Sequence, residues 1–331
     1  MEDVLAVLEE RRRPLVGLCY RMLGSSADAE DAVQETMIRV TQHADRYDSA
    51  RGPVDPWIFR IATNVCIDML RSRGRRAVAM DLGPAAEAGA PLGAPLPADR
   101  WIEPMPDTRV IAATDPAAVV VERETLRLAF VAALQHLPPT QRAVLILRDV
   151  LQYPARETAD ILDTSTAGVN SALQRARATL ARCDPAPTDA LDEGDERQRA
   201  LLDRYVQAFE RHDVDELRAV LREDAHTSMP PFAWWVRGRD VLAGLMTSGA
   251  CDGARLVATA VNGSPGFGQY RPDPHGVLRP FGIVVVELRE GAVSHVVTFL
   301  GTTDRFAEFD LPTTLPALGD GATDEFGAPL T

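Results

Sequence analysis

The sequence predicts a multidomain protein in which two all-α helical domains are followed by an α+β domain. Apolar residues recur at spacings of three and four through residues 1–76 and again through 117–183, which is the pattern of amphipathic helices. Residues 197–310 begin with the same helical pattern and then change to apolar runs bounded by turn residues, which indicate strands. Helices that precede a set of antiparallel strands favour an α+β arrangement.

Three further segments differ from these domains in composition. Residues 77–116 are rich in Ala, Gly, Pro and Asp, and residues 184–196 are acidic and contain proline. Both segments lack hydrophobic periodicity over most of their length and are predicted to be linkers. The last residues, 311–331, are rich in Gly, Pro, Thr and Asp, and we expect them to form a flexible tail.

Charge and composition restrict the classes of function. The net charge of −13 argues against a free-standing DNA-binding protein, because affinity for phosphate comes from Lys and Arg. The N-terminus lacks the order of a secretory signal, and no apolar run approaches the ~20 residues that cross a bilayer, so we expect a cytoplasmic protein without membrane contact. The four cysteines are far apart and form no C-x-x-C pair, which predicts reduced thiols, no metal site and no cofactor.

One helix of the first domain has a face that suits a protein partner. Ser25 and Asp28 form a capping-box-like start for the segment SSADAEDAVQETMIRV. Its apolar residues define an inward stripe, and the opposite face holds Asp31, Gln34, Glu35 and Ile38. A solvated acidic face is one interpretation. Because Ile38 lies among carboxylates, we favour contact with a partner that carries arginines.

A second helix of this domain has a basic face. The segment PWIFRIATNVCIDMLRSRGRR, residues 56–76, contains five Arg and one Asp, and it begins with Trp57 and Phe59. Arginines that follow phosphates, together with flat side chains that stack on bases, suit single-stranded nucleic acid. The alternative is that both aromatic side chains belong to the core.

These two segments, in this order, resemble region two of the extracytoplasmic-function sigma factors over nearly all of residues 9–76. In that family the first segment binds the clamp helices of the polymerase β′ subunit, and the second captures the unpaired −10 element of a promoter. The resemblance implies core binding by the acidic face that includes Asp31, Gln34, Glu35 and Ile38. It implies −10 recognition, in a mode similar to base flipping, by Arg60, Asn64, Asp68 and Arg71.

The second helical domain contains a helix-turn-helix pattern. Residues 140–182 are divided into three helices by Tyr153–Pro154 and by residues 163–165, and the middle helix is short with Ala159 at its centre. The last helix has three Arg and no acid, so it can approach phosphate in spite of the overall charge. A three-helix core with a solvated arginine face is the alternative.

Together with HLPPTQRAVLIL before it, this pattern resembles sigma region four, which recognises the −35 element in the major groove. The resemblance implies that base edges are contacted by Thr166, Ala167, Asn170, Ser171 and Gln174. It places Arg175 and Arg177 on the DNA backbone. No region-three domain fits between residues 77 and 116, as in the extracytoplasmic-function group. The implied partners are RNA polymerase core, through its β′ and β subunits, and promoter DNA.

The segment WIEPMPD in the first linker resembles an island found in sigma factors that carry a SnoaL-like C-terminal extension. The resemblance implies that Trp101, Glu103 and Pro104 contact that extension and tune activity. An exposed indole needs a surface to cover it, which is the physical reason to expect such a contact. The alternative is that the island fixes the linker to its own domain.

The C-terminal domain resembles the SnoaL-like cone fold over residues 197–310. Helices are predicted at 197–211 and 214–222, and strands at 255–261, 281–288 and 292–300, with a hairpin turn between the last two. The resemblance rests on the paired helices and on the PPFAWW and GRD sequences.

This fold implies a pocket, and four residues are candidates to line a cavity for an unknown small apolar ligand: Phe232, Trp234, Trp235 and His295. An interface formed by the three aromatic side chains is the alternative. Related enzymes use a buried carboxylate as general base, and none follows Asp224 in the strand HTSMPPF. We therefore predict no catalytic residues and no enzyme.

The favoured hypothesis is an alternative sigma factor that directs RNA polymerase core to specific promoters and is modulated in cis by its SnoaL-like domain. A one-component, ligand-sensing DNA-binding regulator is the first alternative, and it requires binding to duplex DNA without polymerase. A fused cyclase- or isomerase-like enzyme is the second, and it requires a general base.

Overall fold

The computed structural model describes residues 2–47, 53–71, 74–111, 115–183, 188–189, 191–192 and 194–316. The chain forms two compact units, each built from two segments of sequence. The helical unit contains Met1–Val78 and Pro97–Pro187, and the sheet unit contains Ala79–Leu96 and Thr188–Thr331. The predicted order of two helical domains and an α+β domain is confirmed.

In chain order the helices are α1 Glu2–Glu10, α2 Arg12–Leu23, α3 Ser26–His43, α4 Val54–Arg71, α5 Ala79–Leu82, α6 Pro116–Leu126, α7 Leu128–Gln135, α8 Pro139–Leu145, α9 Ala155–Ile161, α10 Thr166–Cys183, α11 Glu196–Glu210, α12 Val214–Val220 and α13 Arg239–Met246. Helix α8 continues into a π-helical turn at Ile146–Val150. No described helix has both the length and the apolar character that a bilayer crossing demands.

The starts and ends of the helices follow local sequence signals. The Ser25 hydroxyl accepts a hydrogen bond from the Asp28 backbone N–H at 3.1 Å, which caps α3 as predicted. Helix α2 ends at Leu23 and is followed by Gly24, whose φ of +69° is a conformation that glycine adopts without strain. The predicted breaks around Tyr153–Pro154 and at residues 163–165 separate α8 with its π turn, α9 and α10.

The first linker does not behave as one free segment. Residues Ala79–Leu96 belong to the sheet unit, whereas Pro97 and the residues after it belong to the helical unit. The predicted linker, residues 77–116, is therefore divided between the two units. Its composition is typical of linkers, but backbone hydrogen bonds and small apolar side chains are sufficient to bind such a segment to a folded surface. The two helical domains, which the sequence divides, also pack together as one unit.

The sheet unit contains six strands in the order β2-β1-β6-β5-β4-β3. They are β1 Leu221–Ser228, β2 Trp235–Arg237, β3 Arg255–Val261, β4 Ser264–Pro272, β5 Leu278–Arg289 and β6 Ala292–Leu300. Strands β1 and β6 are parallel, and all other neighbours are antiparallel. The predicted turn between β5 and β6 has φ values of +54° at Glu290 and +71° at Gly291, as a tight hairpin requires.

The core of the sheet unit lies between the sheet and helices α11, α12 and α13. Buried side chains from these helices, including Tyr205, Phe209 and Leu242, join strand residues in one apolar cluster. The predicted loose tail differs from the structure over its first residues. Leu311 is buried, Tyr270 donates its hydroxyl hydrogen to the Pro312 carbonyl at 2.6 Å, and Leu315 pairs with Leu278. The rest of the tail, from residue 317, lies outside the described residues.

The segment Ala79–Leu96, which we call the strap, binds the sheet unit through four hydrogen bonds. The indole N–H of Trp235 donates to Gly83 O at 2.9 Å, and the indole N–H of Trp234 donates to Ala90 O at 3.1 Å. Backbone bonds join Ala86 N to Trp235 O and Leu96 N to Pro231 O, at 2.7 and 2.8 Å. The side chains of Ala86 and Leu92 pack against the apolar cluster.

Candidate functional site

The acidic face of α3 has the exposure that a docking surface needs. Asp31, Gln34 and Ile38 are exposed, and Glu35 is half-buried next to Arg39, with 2.7 Å between its carboxylate and the guanidinium. Ile38 is 51% exposed and is one of three exposed large apolar side chains among the described residues. An apolar side chain surrounded by carboxylates is typical of a protein interface.

The basic face of α4 is also exposed. Arg60, Asn64, Asp68 and Arg71 all lie at the surface, and Arg71 pairs with Asp68 at 2.8 Å. The two aromatic residues before them behave differently from this face.

Phe59 is buried, with only 2% of its surface exposed, and its ring lies 5.4 Å from that of Tyr153. Trp57 is half-buried, 5.5 Å from the ring of Tyr47. The core interpretation therefore holds for Phe59, which α9 and the turn before it cover. Burial raises the pKa of the Tyr153 hydroxyl, which stays neutral.

One member of the predicted −10 set touches the second helical domain. The Arg60 guanidinium lies 3.5 Å from the carboxylate of Asp163, in the turn of the helix-turn-helix. Both side chains remain partly exposed, so this ion pair contributes little energy by itself. Its importance is positional, because the turn before α10 lies beside the face of α4.

Helix α10 has two opposite faces, as predicted. Val169, Ala172, Leu173 and Ala176 are buried, and all seven candidate −35 residues are exposed: Thr166, Ala167, Asn170, Ser171, Gln174, Arg175 and Arg177. Arg175 donates to the Ser171 hydroxyl.

Arg177 is engaged with a residue outside α10. Arg177 makes a bidentate pair with Asp149, at 2.6 and 2.9 Å, and this pair raises the pKa of Arg177. Asp149 lies outside α10, so the amphipathic pattern of that helix gave no sign of the pair.

Two buried arginines join the helical domains, and no pattern in the sequence predicts either contact. Arg142 of α8 donates to the carbonyl of Met22 near the end of α2, to Gln135 Oε1 at 2.6 Å, and to the carbonyls of Gln135 and Leu137. Burial lowers the pKa of Arg142 to about 10. A cation at a helix C-terminus interacts favourably with the helix dipole, so this contact joins α8 to α2.

Arg21 of α2 makes a second contact of this kind, in the opposite direction, from α2 to α6. Its guanidinium donates to the backbone carbonyl of Thr125 at 3.0 Å and to the Thr125 hydroxyl at 2.8 Å, both in α6. Burial lowers the pKa of Arg21 to about 10 as well. The two arginines therefore connect the domains in both directions, and we call Arg21 and Arg142 the arginine latch.

The WIEP island is bound to the helical unit. The Glu103 carboxylate accepts hydrogen bonds from Ser25 Oγ at 2.8 Å, Ser26 Oγ at 3.2 Å and the Ala27 N–H at 3.3 Å. It thus provides a negative charge at the N-terminus of α3. Tyr20 donates to the Glu103 carbonyl, and Pro104 is buried.

The remaining island contacts also lie in this unit. Arg76 donates to the Trp101 carbonyl at 2.7 Å, and Trp101 itself is half-buried. These contacts match the alternative that the island fixes the linker to its own domain. The residues that bind the sheet unit are those of the strap, which the sequence did not single out.

The four candidate pocket residues are divided between two groups of side chains. Trp234 is buried in the apolar cluster between sheet and helices, and Phe232 packs against that cluster. Trp235 instead pairs with Ser228 across β2 and β1, and its ring lies 6.2 Å from that of His226. His295 pairs with His226 across β6 and β1. Trp235 and His295 therefore belong to a different cluster from Trp234.

That second cluster is a chain of polar side chains within the sheet. The imidazoles of His226 and His295 stack with centroids 4.0 Å apart. His295 Nε2 lies 3.3 Å from Ser228 Oγ, and His295 Nδ1 lies 3.2 Å from Glu287 Oε2. Burial, followed by the charges of His295 and Arg237, lowers the pKa of His226 to about 3. Asp224 acts in the opposite direction.

The depressed pKa of His226 makes the sheet unit sensitive to acid. In the unfolded chain His226 takes up a proton near pH 6.5, whereas in the folded chain it stays neutral to about pH 3. The contribution of neutral His226 to the free energy of unfolding is therefore fully present above pH 6.5 and is lost as the pH falls below that value. Between pH 7 and pH 5 we expect the free energy of unfolding to fall by about 2 kcal/mol. Urea unfolding of the full chain at both pH values measures this change.

The variant His226→Gln should remove most of that dependence, because glutamine does not titrate. His275→Gln is the matched control, since His275 is exposed in a turn of the same unit. An equal pH dependence in both variants would assign the effect to other groups.

Comparison with known proteins agrees with this arrangement. The family Sigma-70 region 2 matches residues 7–76, and the family Sigma-70, region 4 matches residues 127–180. The chain is 41% identical over 320 residues to the ECF RNA polymerase sigma factor SigG of Mycobacterium tuberculosis, which covers 95% of this chain and 85% of SigG. It is 28% identical over 216 residues to SigJ of the same organism, covering 65% of this chain and 61% of SigJ.

The similarity to a solved structure extends over both units. The crystal structure of the M. tuberculosis extracytoplasmic function sigma factor SigJ aligns with a TM-score of 0.57 and 23% identity, covering 93% of this chain and 100% of that chain. At this identity the likeness shows the fold, including the α+β unit that follows the helical domains. The identity to SigG over nearly the whole chain shows the family. The chain belongs to the extracytoplasmic-function RNA polymerase sigma factors.

Proposed function

We propose that the free chain is a closed form of this sigma factor, in which region four covers part of the −10 face of region two, and that binding to core polymerase opens it. As a sigma factor the chain acts with RNA polymerase on promoter DNA. The observation that supports closure is the contact of Arg60 with Asp163, beside the packing of Phe59 against Tyr153. When the −10 face of region two is covered in this way, it is not fully available to a DNA strand.

Distances make the opening necessary. Promoter elements named −10 and −35 are about 25 base pairs apart, which is ~85 Å along B-DNA at ~3.4 Å per base pair. A compact body of roughly 170 residues is only about 40 Å across. Regions two and four cannot contact both elements while they pack together, so the arginine latch must break when the promoter is bound.

The WIEP island limits how far region four can move. Val110 packs beside Gly17 of α2, where an added Cβ would lie 3.0 Å from its side chain. From Val110 to the start of α6 at Pro116 an extended chain spans only ~20 Å. Separation by ~85 Å therefore requires the island, with Glu103, to leave region two. We propose that release of the island is part of the opening.

We assign the exposed faces to partners as follows. Asp31, Gln34, Glu35 and Ile38 bind the clamp helices of β′, and Arg60, Asn64, Asp68 and Arg71 bind the −10 element. The exposed face of α10 enters the major groove at the −35 element, and region four contacts the β subunit. The strap couples the SnoaL-like domain to this system, because it directly precedes the island in sequence, and the domain thereby modulates activity in cis.

A small apolar ligand remains a proposal for the sheet unit alone. Phe232 and Trp234, at the edge of the apolar cluster, are the residues of the candidate set that could contact such a molecule. A ligand that displaced Trp234 would also break its bond to Ala90 of the strap. Binding there would therefore reach the linker through the strap.

Fluorescence energy transfer between the two regions tests the closed form. Labels at Glu9→Cys and Ala178→Cys lie on exposed positions of α1 and α10, with Cys183→Ser to prevent labelling elsewhere. We expect high transfer in the free chain and a large decrease when core polymerase is added. Unchanged transfer in the chain bound to core would contradict the proposed opening.

The pair between Arg177 and Asp149 leads to a second test. In the variant Asp149→Asn, Arg177 loses its carboxylate partner and becomes available to a DNA phosphate. We expect holoenzyme affinity for a −35 duplex to rise about threefold, because exposed pairs contribute below ~1 kcal/mol. The slope of log affinity against log salt should steepen by about one. Fluorescence anisotropy over a range of salt concentrations measures both quantities.

Asp160→Asn is the matched control, since Asp160 is exposed on α9 and its loss removes the same charge. An equal gain in both variants would assign the effect to net charge and not to Arg177.

A further inference from the structure

Two polar side chains of the sheet unit face its apolar cluster. Tyr205 belongs to α11 and is a member of the cluster, and its ring lies 6.3 Å from that of Phe267 in β4. Gln269 follows two residues later in β4 and pairs with Leu256 of β3, which also belongs to the cluster. Directly opposite residues of an antiparallel pair share one face of a sheet, so Gln269 faces the cluster on the side of Tyr205.

The guanidinium of Arg271 reaches the same cluster from the end of β4. Its Cζ lies 3.4 Å from the centroid of the Phe281 ring, and its Nη2 donates to Cys251 Sγ at 3.9 Å. Cys251 is a member of the cluster. Burial, followed by the nearby Cys251 thiol, raises the pKa of the Tyr205 hydroxyl. Cys251 therefore lies beside both Arg271 and Tyr205.

No carboxylate pairs with Arg271 among the residues that the structure describes. Its one polar contact there is the Cys251 sulfur, and its Nε is buried without a hydrogen-bond partner. Arg255 and Arg279, on the strands at either side, each pair with a carboxylate. Burial lowers the pKa of Arg271. A half-buried cation without a counter-charge is costly, because the water that it loses is not replaced by a protein group.

Two neutral groups near Arg271 also lack protein partners. Gln269 is 4% exposed and Tyr205 is 1% exposed, and neither side chain hydrogen-bonds to another described residue. A buried amide or hydroxyl without a protein partner normally serves bound water, a ligand or a reaction. Because a cation without a counter-charge lies beside them, we favour a ligand that carries a negative charge.

We propose that these three residues form an acid-binding site for a small organic carboxylate with an apolar body. Arg271 pairs with the carboxylate, the Gln269 amide and the Tyr205 hydroxyl donate to its oxygens, and the apolar body lies against the cluster. Stacking on Phe281 uses the flat face of the guanidinium and leaves N–H groups along its edge, where a planar carboxylate fits.

The charge of the site selects the class of ligand. One cation and two neutral donors match a single negative charge, whereas a phosphate ester carries about −1.5 to −2 at pH 7. The inference rests on the proposed small ligand of the sheet unit, to which it adds a charged head group.

Calorimetric titration of the full chain with hexanoate tests the site, and hexanamide, with the same apolar chain and no charge, is the neutral probe. We expect saturable binding of hexanoate to the wild type and at least about tenfold weaker binding of hexanamide. Arg271→Gln should weaken hexanoate binding at least about tenfold and leave hexanamide binding unchanged, because only charge-assisted hydrogen bonds are lost. Arg199→Gln, at an exposed position of α11, is the control and should bind both probes as the wild type does.

A second variant tests the buried amide and does not depend on removing a charge. In Gln269→Leu the polar group is replaced by an apolar one of similar volume, so the melting temperature should equal or exceed that of the wild type. Affinity for hexanoate should nevertheless fall about fivefold, because a neutral hydrogen bond is lost. A lower melting temperature together with unchanged affinity would assign the amide to the fold and remove it from the site.

The two probes separate this inference from the proposals above. Equal affinity of the wild type and Arg271→Gln for hexanoate, or no saturable binding of hexanoate, would overturn the acid-binding site. If hexanamide binds as tightly as hexanoate, the apolar ligand of the sheet unit stands and the carboxylate does not. Energy transfer between regions two and four is measured without either probe, so the closed form is tested independently.

Discussion

The variant Arg142→Met is expected to lower the free energy of unfolding of the helical unit by about 3 kcal/mol. Methionine replaces only the apolar stem of arginine, so it leaves the carbonyls of Met22, Gln135 and Leu137 without their donor. Each buried acceptor that loses its partner costs about 1–3 kcal/mol. Relief from burying a charge offsets part of this cost. Urea unfolding of the full chain, followed by helical circular dichroism, measures the change.

The same variant should also open the chain, because Arg142 joins region four to the end of α2. Energy transfer between the labels on α1 and α10 should then be lower without polymerase. Arg13→Met, on the exposed face of α2, is the control and should change the free energy of unfolding by less than about 0.5 kcal/mol. Wild-type stability together with wild-type transfer in Arg142→Met would show that the latch does not hold the regions together.

The second large effect concerns the face of α3. Ile38→Glu should weaken binding to core polymerase about thirtyfold, because an apolar contact at an interface centre is worth about 2 kcal/mol and the new carboxylate would be desolvated. Ile38 is exposed in the free chain, so folding should be unaffected. Competition binding to core polymerase measures the affinity directly.

Ile38→Val retains an apolar side chain of similar shape and is the matched control, with an expected loss below about fivefold. Transcription by Ile38→Glu should recover when the sigma factor is added in excess, which separates weak docking from a defect in promoter recognition. If affinity for core were unchanged in Ile38→Glu, α3 would bind core through another face or not at all.

The exposed faces could be predicted because helical periodicity determines them. In α3 and α10 the buried residues recur with the helical repeat, and the candidate residues occupy the other positions. Strands β3 and β6 were predicted with their observed bounds for a similar reason, since each is a mainly apolar run rich in Val. Such signals depend on neighbours in sequence alone.

Features that depend on distant contacts could not be predicted. Strand β4 contains Pro265 and two glycines, which normally weaken a strand. Gly268 allows Leu311 to pack closely on the strand, because an added Cβ would lie 2.6 Å from Leu311 Cδ1. The arginine latch also depends on contacts between residues far apart in sequence, since the partners of Arg142 include Met22. Three of the four candidate pocket residues share a segment of sequence, but extended backbone directs the neighbouring side chains of Trp234 and Trp235 into different clusters.

The strap has a consequence for how this domain can be removed or exchanged. The sheet unit is assembled from two separate stretches of chain, so a cut near residue 195 deletes the surface that shelters Ala86 and Leu92 but leaves those side chains behind. A truncated protein would then lose regulation and also expose an apolar segment. A change in its activity could result from lower solubility and not from the loss of regulation. Chimaeras between related sigma factors should exchange residues 79–96 together with the C-terminal part, as one inherited module.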